Sequence, residues 1–121
     1  MNEVSTGYLS VRVSTAQGAI PLEDAAVNIR GGAAADSGIL FSLRTDRDGR
    51  TPTVALTTPA LSLSASPNGE PPYSVYHVDV FKEGYLPLFF HNVPVFPSVI
   101  SIQPAVMVPA ADAPVYGKET P

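Results

Sequence analysis

The sequence has no cysteine and no tryptophan. Without thiols there is no disulfide framework, no thiol nucleophile and no zinc–thiolate centre. Charge is also scarce: Asp, Glu, Lys and Arg make up 15% of the chain, against about 25% in an average domain. The formal net charge is -4 and the arginines and lysines are scattered, so a nucleic-acid backbone is not an expected partner. No apolar run approaches the ~20 residues of a helical membrane span, and no membrane partner is expected. The opening MNEVSTGYL has neither a basic segment nor an apolar core, so no signal peptide is read there and the compartment is left open. No helical stripe is visible. Thirteen prolines, frequent from Pro52 onward, exclude a mainly helical chain, since a proline in a helix interior costs about 3 kcal/mol.

What the chain does have is apolar residues, 45% of 121, enough for one domain with a core of its own. They alternate with polar ones at the period of strands. Residues 8–14 set Leu9, Val11 and Val13 against Ser10, Arg12 and Ser14. Residues 25–30 set Val27 and Ile29 against Asn28 and Arg30, and residues 39–45 place Ile39, Phe41 and Leu43 on one face. Residues 51–58 turn Val54 and Leu56 inward. Residues 73–81 bury Tyr76, Val78 and Val80 and expose His77 and Asp79. Residues 86–96 are apolar on both faces, with a bulge expected near His91 and Asn92. Residues 98–109 keep Ile100, Ile102, Val106 and Val108 in one parity, which is assigned to the core.

Seven strands separated by Gly, Pro, Asn and Asp turns predict an all-β, seven-stranded antiparallel sandwich. Pro87, Pro94 and Pro104 fall within strand segments and predict edges or bulges there, because proline cannot donate to a ladder. The longest irregular segment is 57–72. Residues 1–6 read as an N-terminal arm, 7–109 as the domain and 110–121 as a linker or tail.

Three runs carry a resemblance: GYLSVRVSTAQGAIPLEDAAVNI, TDRDGRT and PPYSVYHVDVFKEGY. Pro21, Ala25, Val27 and Ile29 match a Pro-x-x-x-Ala-x-Val-x-Ile segment. Thr45, Asp46 and Gly49 match a Thr-Asp-x-x-Gly hairpin, and Gly84 and Tyr85 close a later strand. Over residues 7–109 the chain resembles the carboxypeptidase regulatory-like domain, a transthyretin-like (prealbumin-like) Greek-key sandwich. The closing VPVFPSVISIQPAVMVP is similar to versions found beside cell-wall-active or spore-associated domains of spore-forming bacteria. The resemblance implies an accessory module that packs against, spaces or attaches other domains.

The candidate chemistries are thin. Asp46 and Asp48 with Gly49 do not make an EF-hand: the glycine comes two positions early and the twelfth position is Thr57. An Asx turn with positive φ at Gly49 explains the run instead. His77, Asp79 and His91 offer two nitrogens and a carboxylate, but such residues are common on strand surfaces, so no metal is assigned. No nucleophile elbow, phosphate loop or His-Glu-x-x-His motif occurs, and neither catalysis nor a cofactor is expected. Tyr8, Tyr73, Tyr85 and Tyr116 are the only candidates for stacking on a sugar if exposed. A lysine–asparagine crosslink is not expected, because the lysines are Lys82 and Lys118 and the first strand carries Arg12.

Phe81, Phe89, Val95 and Met107 fall opposite the inferred core: exposed together they form an apolar patch that marks a protein contact, and the alternative is that a loop covers each of them. The function expected from sequence is therefore a non-catalytic structural or protein-interaction module. It would contact another protein or itself through residues 86–108. The alternatives are a glycan- or peptidoglycan-binding accessory of a cell-wall hydrolase, and a subunit of an extracellular or virion-like assembly.

Overall fold

The computed structural model describes residues 4–32, 38–60 and 73–110. Its elements are all strands apart from a 3₁₀ turn at Ala16–Gly18. In chain order they are β1 (Val4–Thr15), β2 (Ile20–Pro21), β3 (Ala26–Gly31), β4 (Ile39–Arg44), β5 (Val54–Pro59), β6 (Ser74–Phe81), β7 (Leu88–Val95) and β8 (Ile100–Val106). Two four-stranded sheets result. The first joins β2, β1 and β5, with β8 also paired to β1, and the second runs β4-β3-β6-β7. An all-β, two-sheet architecture is thus what the alternation builds.

Two details differ from expectation. There are eight described strands rather than seven, the additional one being the two-residue β2. The sandwich is also not wholly antiparallel. β8 runs parallel to β1 over seven register pairs, from Tyr8↔Ile100 to Ser14↔Val106. The other pairings are antiparallel. The expected arm is shorter too, because Val4, Ser5 and Thr6 already pair with Pro59, Thr58 and Thr57 of β5. The expected tail from 111 and the irregular segment 61–72 lie outside the described residues.

The core lies between the sheets. Leu9, Val11 and Val13 of β1 and Val54 and Leu56 of β5 meet Val27 and Ile29 of β3 and Tyr76, Val78 and Val80 of β6. Fully burying one such aliphatic side chain stabilises the fold by about 1.5–3 kcal/mol. Inward and outward faces on these four strands follow the period of two read in the sequence.

On β8 the reading inverts. Ile100 and Ile102 are 65% and 63% exposed, and Val106 and Val108 are exposed as well, whereas Ala105 and Met107 are buried. The cause is register. Ser101, Gln103 and Ala105 stand beside Leu9, Val11 and Val13 of β1, which face inward, and paired residues share a face. The Met107 N–H then donates to the Ser14 carbonyl and draws its side chain into the core. On β7 the expected bulge is present. The β6 register shifts between Tyr76 and Val78, and Asn92 takes φ 60°. The extra residue switches parity, so Phe89 faces out while Val93 and Val95 face in. Ile39, read as sharing a face with Phe41 and Leu43, is exposed at the β4 edge, where β3–β4 pairing slips after Ile29. Pro94 and Pro104 sit in β7 and β8, which end their sheets, and Pro87 precedes β7.

The TDRDGRT run forms its turn, with a different job. Asp46 Oδ1 accepts from the Asp48 and Arg50 N–H groups at 2.9 and 3.0 Å. Gly49 has φ +77° and donates to the Asp46 carbonyl. A Cβ there would run into the Val13 carbonyl oxygen. The turn is not a hairpin, however: it carries the chain from β4 in the second sheet to β5 in the first. Thr45 and Thr51 flank it as buried hydrogen-bonding posts. The Thr45 hydroxyl accepts from the Ala25 N–H and donates to the Leu22 carbonyl, and the Thr51 hydroxyl accepts from the Val11 N–H.

Candidate functional site

The outer face of the second sheet carries both histidines together with an Arg–Asp pair. Alternation points Asn28 and Arg30 of β3, and His77, Asp79 and Phe81 of β6, away from the core. Antiparallel pairing then sets Arg30 opposite His77 and Asn28 opposite Asp79. The side chains couple across the strands. Ser42 donates to Asn28 Oδ1 at 3.0 Å. Arg30 Nε donates to Asp79 Oδ2 at 2.8 Å, with a longer second contact of 3.4 Å from Nη2 to Oδ1. The His77 and His91 rings meet edge to face with centroids 5.1 Å apart, and Phe81 and Phe89 do the same at 5.7 Å.

Asp79 is a correction to the sequence reading. It is only 8% exposed, because the Arg30 side chain covers and neutralises it. Nothing in the local pattern reveals this, since the two residues are 49 apart and meet only because β3 and β6 are neighbours.

The expected apolar patch divides. Phe81 and Phe89 are exposed and packed on each other, while Val95 and Met107 are buried. They are separated by the β7 bulge and the β8 register described above. Asp46 and Gly49 occupy the inter-sheet turn. Of the tyrosines, Tyr8 and Tyr73 are just over one-third exposed, and Tyr73 packs edge-on against Phe96. Tyr85 is half-buried against the core, and Tyr116 lies outside the described residues.

At one end of this face is a cleft of about 480 Å³ that is not legible in the sequence. It is lined by Asp24, Arg44, Phe81, Lys82, Tyr85 and Pro87, among others. The KEGY turn shapes it: the Tyr85 N–H donates to the Lys82 carbonyl, and Gly84 takes φ +88°. The Leu86 N–H bonds the Val108 carbonyl and the Ala110 N–H bonds the Gly84 carbonyl, so the segment after β8 braces this turn. Arg44 Nη1 meets Asp24 Oδ1 at 3.2 Å on the other wall, an exposed pair. The cleft therefore offers two rings, two cations and two carboxylates, with Glu83 the second acid. Phe81 belongs both to the cleft and to the aromatic pair on the outer face.

Solved structures alike in architecture are catechol 1,2-dioxygenases. Wild-type catechol 1,2-dioxygenase of Acinetobacter radioresistens superposes with TM-score 0.60 at 16% identity, covering 98% of this chain and 57% of its own. 3-Chlorocatechol 1,2-dioxygenase of Rhodococcus opacus 1CP gives 0.56 at 18% identity, covering 88% and 61%. Chlorocatechol 1,2-dioxygenase of Pseudomonas putida gives 0.54 at 16%, again covering 88% and 61%. The chain thus spans about three-fifths of the length of these enzymes. No protein-family model matches it, and no curated protein is similar to it.

At these identities the likeness is one of fold. It still overturns the expectation of a non-catalytic structural or interaction module, together with its glycan-binding and assembly-subunit alternatives. That expectation rested on a scaffold resemblance to accessory domains, and the scaffold is one that dioxygenases carry.

Oxygen chemistry on an aromatic diol is ordinarily the work of a metal or organic cofactor, and one familiar set for non-haem iron is two histidines and a carboxylate. The chain's two histidines and Asp79 have that composition. They do not have the arrangement, because both Asp79 oxygens face Arg30. Among the described residues no group of three His, Asp or Glu is placed to hold a metal. The described residues do not fit such a centre, and no reaction step is drawn through one. Among the same residues, no helix is long and apolar enough to cross a membrane.

Proposed function

We propose that the chain is a dioxygenase-like β-sandwich domain that takes a small aromatic ligand of the catechol class in the cleft beside Phe81 and Tyr85. The observation that carries this reading is the architecture shared with catechol 1,2-dioxygenases over 88% to 98% of the chain. The cleft supports it chemically. Its 480 Å³ falls within the range of about 300–1,000 Å³ common to small-molecule sites. Phe81 and Tyr85 offer ring faces for offset or edge packing. Arg44 and Lys82 offer donors to a phenol or phenolate oxygen, and Asp24 and Glu83 accept from a diol.

The test is titration of the chain with catechol and 3-chlorocatechol, followed by ligand-observed NMR. Saturable binding is expected, weakened several-fold by Phe81→Ala and by Lys82→Ala. No saturable binding by the wild type, or binding unaffected by both substitutions, would overturn the reading.

As to the finer scaffold, the transthyretin-like, carboxypeptidase regulatory-like resemblance stands as part of the same proposal. Ala25, Val27 and Ile29 of its first segment are all buried, which supports it.

A further inference from the structure

We propose that His77 and His91 form a two-histidine site for a late first-row divalent metal ion, with copper(II), nickel(II) and zinc(II) as the candidates. The inference rests on the histidine pair alone, not on the cleft or its ligand.

The β7 bulge makes the pair. In an unbroken ladder one β7 residue would stand opposite His77. Here the register shift leaves His91 and Asn92 sharing that place, and His91 remains on the outer face with its ring against His77. Two imidazoles bound to one tetrahedral ion at about 2 Å per nitrogen have ring centroids about 5 Å apart. The observed separation is 5.1 Å. The rings therefore need to turn, not travel, to share an ion.

The lone pair needed on His77 is present and weakly used. Its Nδ1 accepts the Asn92 N–H at 3.3 Å, which directs that nitrogen toward the bulge carrying His91. An ion would displace only this long bond, and Asn92 is exposed, so its N–H can turn to water. The one cation beside the pair in the ladder is Arg30, opposite His77. Its charge is matched by Asp79 at 2.8 Å, so a divalent ion does not meet an uncompensated guanidinium. Water would complete the coordination sphere. Imidazole favours copper, nickel and zinc over magnesium and calcium, with copper(II) bound most tightly.

The experiment uses the full chain without a histidine tag. Copper(II), nickel(II) and zinc(II) are titrated in turn by calorimetry, and the copper(II) visible absorption band reports nitrogen coordination. One ion per chain is expected, in the affinity order copper over nickel and zinc. His77→Gln and His91→Gln should each weaken binding by about ten-fold or more. Both side chains sit on the outer face, so the variants should melt like the wild type, and the melts are recorded alongside. No binding by the wild type overturns the site. So does binding retained by the double variant, or loss confined to one of the two single variants. Catechol binding is measured without metal, so failure here leaves the cleft proposal untouched.

Discussion

The two outer faces of the sandwich come from the same kind of alternating sequence and end up unlike. On the second sheet the outward side chains are matched across strands: Ser42 with Asn28, Arg30 with Asp79, His77 with His91 and Phe81 with Phe89. On the first sheet, β8 turns Ile100, Ile102 and Val106 outward beside Tyr8, Ser10 and Ser14 of β1. The lesson is that alternation says which residues share a face, while register says which face is wet. For β8 the parallel partner β1 already had its inward row filled by Leu9, Val11 and Val13, and that row decided the matter.

The sharpest way to break this contrast is on β8 and the residue after it. Met107→Ala should cost about 2–5 kcal/mol, as expected for a buried large-to-small change, whereas Ile102→Ala should stay within about 0.5 kcal/mol. Chemical denaturation of both variants measures the difference. The reverse order would restore the parity read from sequence and refute the register.

Next comes the link between the sheets. Gly49→Ala should cost about 2 kcal/mol or more, because alanine disfavours the left-handed φ and its Cβ would collide with the Val13 carbonyl. A variant that melts with the wild type would mean that the β4–β5 turn is built differently.

On the second sheet, Asp79→Asn should cost about 1–2 kcal/mol by leaving the largely covered Arg30 without its anion. Arg44→Ala, which removes the exposed partner of Asp24, should cost less than about 0.5 kcal/mol. Equal effects in the two variants would dissolve the distinction between the covered pair and the exposed one.

The smallest effect is a pH slope. Tyr76, on β6, donates its hydroxyl hydrogen to the Thr57 carbonyl of β5 and so ties the sheets together. Burial raises its phenol above the ordinary value of 10.0. The native state then holds a proton that the unfolded chain gives up, so stability is intact below pH 10 and falls as pH rises through the raised value. Thermal melts at increasing alkalinity should show a shallower decline for Tyr76→Phe than for the wild type. Identical slopes would mean that Tyr76 is not the group responsible.

How much of the site was legible follows the same division. His77, Asp79 and His91 drew notice from residue type, and the bulge at His91 and Asn92 was readable where an apolar run met a His-Asn pair. The partner of Asp79 was not readable, because Arg30 lies on another strand and the β3–β6 adjacency is a property of topology. Nor was the cleft, since Asp24, Arg44 and the Phe81–Tyr85 stretch converge from three separate segments.

Sequence alone determined the strand content, the inward rows of β1, β3, β5 and β6, the Asx turn at Asp46 and the placement of Pro94 and Pro104. These depend on side-chain alternation and on local hydrogen bonding, which act within a few residues. Tertiary structure decided that β8 lies parallel to β1 with Met107 inward, that the Asp46 turn joins two sheets, and that Arg30 covers Asp79. Each of those is a choice of neighbour. A strand's own sequence leaves its neighbour open, because backbone donors and acceptors are the same at every position and only the packed whole distinguishes one pairing from another.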